Sequence, residues 1–226
     1  MRAMTPAQIA IPFPNQPSFK DEDYLVSNCN NVIFNAIVSW PNWAYPVYRI
    51  KGPKGSGKTH LSQIWQRLSG ATLIQTSQLS SHIEQIANNP NHIILENLDE
   101  AVDQNVLFHL YNLVRAENKN MLITSSSSFS DWNLSLPDLV SRLRTVPVLE
   151  ISEPDDDLIR MVLMKLSSDR QIQLNLNVIE YLIPRIERSF EAIQKCVLAL
   201  DEHSLREKRK ITIPLAKKIL DNADVG

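Results

Sequence analysis

The sequence predicts an α/β fold, a parallel sheet with helices on both faces, followed by a small all-α subdomain. Three observations carry this. Three of the five glycines, Gly52, Gly55 and Gly57, fall within the stretch "GPKGSG", so a chain sparing with glycine uses it there for backbone geometry. Short β-rich runs alternate with helical runs as far as Ser152, the pattern of a parallel sheet with crossover helices. Beyond Ser152 the apolar residues keep i, i+3, i+4 spacing and no strand of useful length follows.

The elements follow in order. Residues 1–20 carry Pro6, Pro12, Pro14 and Pro17 without periodicity and read as an extended N-terminal arm. Its apolar "QIAIPF" needs a burial partner, either the chain's own sheet or a groove on another protein, and composition alone does not choose. Residues 21–152 form the predicted α/β domain. "PVYRI" (46–50) is a strand, the glycine loop follows, and "THLSQIWQRLS" (59–69) sets Leu61, Ile64, Trp65 and Leu68 at helical spacing. Then come "ATLIQ" (71–75, strand), "SSHIEQIAN" (80–88, helix), "HIIL" (92–95, strand), "NVLFHLYNLVRAEN" (105–118, helix), "MLITS" (121–125, strand) and "VPVLEI" (146–151, strand). "SEPDDD" (152–157) marks a turn and a helix start, and residues 153–226 read as a helical subdomain with helices over 156–170, 176–187, 189–207 and 213–223.

Bulk properties exclude several classes of function. A chain of 226 residues can bury one full core and a small second domain. No apolar run approaches the roughly 20 residues that cross a bilayer, and "MRAMTPAQIAIPFP" lacks the pattern of a secretory signal, so a cytoplasmic protein is expected. A net charge of −2 and a pI near 6.2 provide no positive field for non-specific nucleic-acid binding, so direct sequence-specific DNA binding is not expected. The basic run "LREKRK" (205–210) reads as a solvated helix end. Cys29 and Cys196 lie far apart without metal-ligand spacing and read as small hydrophobes.

The chemistry lies in Gly52-Pro53-Lys54-Gly55-Ser56-Gly57-Lys58-Thr59, which fits G-x-x-x-x-G-K-[ST] between a strand and a helix. Such a loop turns backbone N–H groups toward phosphates, and the following helix, which includes His60, adds the partial positive charge of its N-terminus. Lys58 is the counter-charge to the β and γ phosphates, and the Thr59 hydroxyl is a Mg²⁺ ligand. After "HIIL", Glu96 stands where an acid faces the metal. Asn97 stands where many hydrolases place a second acid, and an amide cannot take up a proton. Asp99 and Glu100 lie beyond the strand end and read first as a solvated turn.

With "GKTHL", "FHLYNLVRAENKNMLITS" and "LPDLVSRL" in this order, the chain from about Asp21 to Leu220 resembles the DnaA-related AAA+ proteins, and within them the short Hda type. The resemblance implies a P-loop AAA+ sheet with a helical lid, an ADP or ATP ligand with Mg²⁺, and two partners. One is the β sliding clamp, which Gln8, Ile9, Ala10, Ile11, Pro12 and Phe13 would engage. The other is the replication initiator DnaA, whose bound ATP is hydrolysed in response. The family's arginine finger falls on Arg142, with Arg144 as its neighbour. Three departures from the pattern stand together: Asn97, Ser126 at sensor I, and Glu191 at the lid arginine position, with Arg188 one helical turn before it as the candidate to reach the nucleotide phosphates instead. They imply a protein that holds its nucleotide and assists hydrolysis in a partner. By the same analogy Tyr24, Leu25, Val26 or Asn30 approaches the base, although core packing explains them equally. An autonomous AAA+ ATPase acting in DNA replication is the main alternative, and a small-molecule kinase or a non-binding scaffold fits less well. The sequence leaves homodimerisation through the arms open.

Overall fold

A computed structural model describes residues 24–81, 91–98, 102–132, 134–207 and 210–222. The arm residues Gln8 to Phe13, most of the helix expected over 80–88, and Asp99 with Glu100 lie outside the described residues.

Five parallel strands, β1 (Val47–Lys51), β2 (Thr72–Gln75), β3 (Ile93–Glu96), β4 (Met121–Ser125) and β5 (Val148–Glu150), form one sheet in the order β2-β3-β4-β1-β5. The central strands β3 and β4 are buried at every position, as a parallel sheet covered on both faces requires. The two-residue period sorts their side chains. Ile93, Leu95, Met121 and Ile123 face a core shared with α3 (Gln104–Ala116) and α4 (Pro137–Arg144). Ile94 and Leu122 face the core formed with α1 (Asn31–Val38) and α2 (Lys58–Ser69).

Local chemistry sets the helix ends. The left-handed Gly70, φ 68°, stops α2 and returns its N–H to the Gln66 carbonyl. The Asp103 carboxylate caps α3 by accepting from the Asn105 and Val106 N–H groups. Pro137 opens α4 at a position where its missing N–H costs nothing. Two of these helices, α1 and α4, were not among the helices read from apolar spacing.

Four helices follow: α5 (Asp156–Asp169), α6 (Leu176–Leu182), α7 (Phe190–Glu207) and α8 (Ile213–Asn222). The spacing predicts α6 through residue 187, whereas it ends at Leu182 because Pro184 cannot donate to the helix ladder. These helices enclose a core of their own, including Leu163, Ile179, Leu182, Ile193, Leu200 and Ile219. Leu158 of α5 and Phe190 of α7 instead join the α1–α2 core. Cys196 is fully buried in the core of the helical subdomain, and burial pushes its thiol up to about 12, consistent with a packing role. Among the described residues no helix is long and apolar enough to cross a membrane.

Candidate functional site

All five strands are parallel, so their carboxyl ends open on one edge, the usual place for a ligand in an open α/β sheet. Three strand ends bring chemistry there: β1 delivers the glycine loop, β3 delivers Glu96 and Asn97, and β4 delivers Ser126. The loop depends on glycine at two kinds of position. Gly55 and Gly57 have φ of 80° and 90°, the left-handed region that side chains resist. Gly52 is needed for space, because a Cβ there would lie 2.8 Å from Ser56 Oγ and 2.9 Å from Ile151 Cβ.

Lys58 is buried and donates from Nζ to the Gly52 carbonyl at 2.7 Å, the Pro53 carbonyl at 2.9 Å and Ser126 Oγ at 3.4 Å. The sensor I position and the loop lysine are therefore neighbours although 68 residues separate them. Ser56 Oγ is buried inside the loop without a hydrogen-bond partner among the described residues, an acceptor and donor left open at the cradle.

Glu96 is 3% exposed at the end of β3. One oxygen, Oε2, accepts from Gln75 Nε2 at 3.0 Å across the β2–β3 register, while Oε1 is buried with no hydrogen-bond partner among the described residues. Asn97 has φ 58°, a conformation asparagine tolerates better than most residues. Its Nδ2 donates to Gln75 Oε1 at 3.2 Å and its backbone N–H to Thr124 Oγ1 at 3.0 Å. Gln75 thus joins Glu96 to Asn97. Sequence reading missed it, since a glutamine at a strand end carries no pattern and only the strand register shows its role. Thr59 is exposed at the start of α2.

The helical subdomain closes the other side. A cleft of ≈ 150 Å³ is lined by Tyr24, Leu25, Asn30, His60, Phe190 and Gln194, together with the loop residues Gly55 to Gly57 and residues of α5. That volume is smaller than sites enclosing a whole drug-sized ligand and suits one ring system. Tyr24 stacks on Phe34 with ring centroids 5.6 Å apart and meets the His60 ring edge-on at 5.3 Å. Burial pushes the Tyr24 phenol upward, so it stays neutral. Asn30 Nδ2 donates to the Leu25 carbonyl at 2.8 Å and fixes that segment. Val26 is 38% exposed and does not line the cleft.

The lid positions divide. Arg188 donates to Asp156 Oδ1 at 2.6 Å and to the Pro154 carbonyl at 3.3 Å, bracing the start of α5. Glu191 pairs with Lys195 at 2.9 Å; that ammonium, and less strongly Lys54 of the glycine loop, holds its carboxyl below the usual range. Gly55 confirms how close the lid comes, since a Cβ there would lie 3.6 Å from Phe190 Cβ.

Arg142 belongs to a different neighbourhood. Its guanidinium donates to Asn112 Oδ1 and lies 4.8 Å from the Phe108 ring centroid and 5.8 Å from that of Tyr111, all on α3. Arg144 is exposed and borders a cavity of ≈ 370 Å³ lined by Phe129, Trp132, Leu134, Val140 and Leu143.

Among the described residues, the edge offers an anion cradle, the buried Lys58 and the Glu96 carboxylate with its unpartnered Oε1. Among the described residues no group of three or more His, Cys, Asp or Glu could hold a metal alone. This donor set fits Mg²⁺ bound through one carboxylate and ligand phosphates, and the partnerless Ser56 Oγ and Glu96 Oε1 fit such an addition.

Comparison with known proteins gives three findings. The family model for the Hda lid domain matches residues 155–220. An uncharacterized protein of Haemophilus influenzae is 30% identical over 189 residues, covering 78% of this chain and 82% of that one. Among solved structures, domain III of the Thermotoga maritima replication initiation protein DnaA superposes with a TM-score of 0.74 at 18% identity, covering 93% of this chain and 98% of that one. AMPPCP-bound DnaA from Aquifex aeolicus superposes with a TM-score of 0.66 at 18% identity, covering 86% and 70%.

Proposed function

The chain belongs to the DnaA-related AAA+ proteins of the Hda type, and from that membership we propose that it regulates replication initiation. In this reading it holds an adenine nucleotide, docks on the β sliding clamp and promotes hydrolysis of the ATP bound to DnaA. The observation that carries the reading is the division of the chemistry. Lys58 is engaged by Gly52, Pro53 and Ser126 at the strand edge, whereas the Arg142 guanidinium donates to Asn112 and lies over the Phe108 ring, both on α3. An arginine that serves its own nucleotide would be oriented from the loop or the lid; one that serves a neighbour is displayed elsewhere.

The cradle would hold the nucleotide through Gly52 to Thr59. The cleft of Tyr24, Leu25 and Asn30 would take the base, and Thr59 and Glu96 would face Mg²⁺. When bound, Mg²⁺ supplies charge neutralisation between the phosphates. The protein's own residues then hold rather than cleave. Asn97 carries an amide bonded to Gln75 and cannot accept a proton from water. Glu191 keeps a negative charge near the loop, which disfavours a γ-phosphate and favours ADP. The N-terminal Gln8, Ile11 and Phe13 would anchor in a groove of the clamp, concentrating the protein where initiation has occurred.

Arg142 then acts in trans, stabilising the charge that develops on the initiator's γ-phosphate. The test mixes the protein with β clamp on DNA and ATP-loaded DnaA and follows initiator-bound ATP. Wild type is expected to accelerate hydrolysis. Arg142→Ala should remove that acceleration, by about 10³-fold or more where the finger contributes fully. Deletion of residues 1–13 should remove it while nucleotide binding persists. If wild type leaves initiator-bound ATP untouched, an autonomous ATPase acting in replication replaces this reading.

A further inference from the structure

We infer that Asp155 is a positioning residue for the base of the nucleotide: its one carboxylate holds two walls of the cleft at a fixed separation. The inference rests on the reading that this cleft takes the base. Asp155 is half-buried in the turn between β5 and α5, and both of its oxygens are engaged. Oδ1 accepts from the Leu158 N–H at 2.8 Å and caps α5. Oδ2 accepts from the Cys29 N–H at 3.2 Å, across 126 residues of chain.

Each N–H belongs to a wall. Leu158 lines the cleft, and Val162, Lys165 and Leu166 continue that wall at i+4, i+7 and i+8, one face of α5. Cys29 precedes Asn30, which lines the cleft with Tyr24 and Leu25. Asn30 ties this segment into a unit: its Oδ1 accepts from the Ser27 N–H at 2.8 Å, and its Nδ2 donates to the Leu25 carbonyl at 2.8 Å. A shift at Cys29 therefore moves the whole segment. Capping a helix needs only one oxygen, and serine supplies it about as well as aspartate does. The second oxygen is what capping leaves unexplained, and it goes to the segment beside the base. Both bonds are to a carboxylate, which makes them roughly twice as strong as neutral ones. Separation matters because a ring in a cleft of ≈ 150 Å³ is held by contact with its walls, and a gap of about 0.5–1 Å forfeits about a quarter to a half of each contact.

The experiment titrates wild type, Asp155→Ser and Asp155→Asn, all full length, with Mg²⁺-ADP and with Mg²⁺-pyrophosphate, which fills the phosphate cradle without a base. The melting temperature of each ligand-free protein is recorded beside the affinities. Asp155→Ser keeps the cap and cannot reach Cys29, so its melting temperature is expected to stay near that of wild type. Its Kd for ADP should rise about 5- to 10-fold, the scale of one hydrogen bond's net contribution, while its Kd for pyrophosphate stays within about twofold. Asp155→Asn keeps one acceptor oxygen but turns an amide toward the other N–H, so it should show the same split. It is the deciding variant if the serine protein melts lower than wild type. Unchanged ADP affinity in both variants, or ADP and pyrophosphate weakened alike, overturns the inference and leaves the nucleotide site standing. A wild type that binds ADP no more tightly than pyrophosphate overturns the base reading of the cleft and the inference with it. A wild type that binds neither ligand overturns the nucleotide site itself.

Discussion

Asn97 sits at the end of a fully buried strand with its backbone at φ 58° and its amide bonded to Gln75. Replacing it with aspartate keeps a residue suited to that backbone but removes the donor to Gln75 Oε1. The glutamine amide must then serve two carboxylates, and Glu96 is held less firmly. Asn97→Asp is therefore expected to raise intrinsic ATP hydrolysis by about 10-fold, short of the about 10²- to 10⁴-fold of a well-positioned base. Ser126 and Glu191 remain in place and limit the gain. Single-turnover hydrolysis of bound ATP by the isolated protein checks this, and no change would mean that Asn97 is not what keeps the site quiet. The residues of the loop, and Glu96 and Asn97, are legible in the sequence because their spacing is local. Gln75 and Asn112 are not, because each matters only through a partner brought close by the fold.

At the scale of the element, β3 begins with a pH-sensitive contact. His92 Nδ1 accepts from the Asn120 N–H at 2.9 Å, and its ring meets Trp40 edge-on with centroids 5.5 Å apart and lies 6.1 Å from that of Trp65. Burial, and then the nearby Lys119 ammonium, lower its pKa from the ordinary 6.5. As pH falls below 6.5, the unfolded chain takes up this proton before the folded chain does. The contribution to stability is thus complete above 6.5 and is lost as pH falls through the folded value. Urea midpoints should drop between about pH 7.5 and about pH 5 in wild type, and drop less in His92→Gln. Equal slopes in both proteins would assign the acid sensitivity elsewhere. Strands β1 to β4 are legible as apolar or alternating runs. The helices α1 and α4 are harder to read: each is eight residues long, offering barely two turns of periodicity.

At the scale of the whole molecule, the nucleotide-binding edge and the lid meet at Gly55, where Phe190 and Gln194 of α7 approach the loop. A ligand in this seam touches both the sheet domain and the lid, and binds only when both are folded. Mg²⁺-ADP is therefore expected to raise the melting temperature, with about 2.7 kcal/mol of stabilisation at 100 times Kd. ATP should raise it less, because of the charge at Glu191, and EDTA should remove the share contributed through Glu96. Thermal scans with each ligand at matched concentration check the order. A larger shift with ATP would show that Glu191 does not discriminate.

The sequence by itself determined the fold class, the phosphate loop and the change to a helical subdomain. These depend on period, spacing and residue type, which are properties of neighbours along the chain. Only the tertiary structure decided that Arg188 braces Asp156, that Val26 stays outside the cleft, that Gln75 ties Glu96 to Asn97, and that Arg142 rests on Asn112. Each of those rests on strand register or helix packing between segments far apart in sequence. An arginine or a glutamine has the same spacing signature whichever partner the fold brings to it.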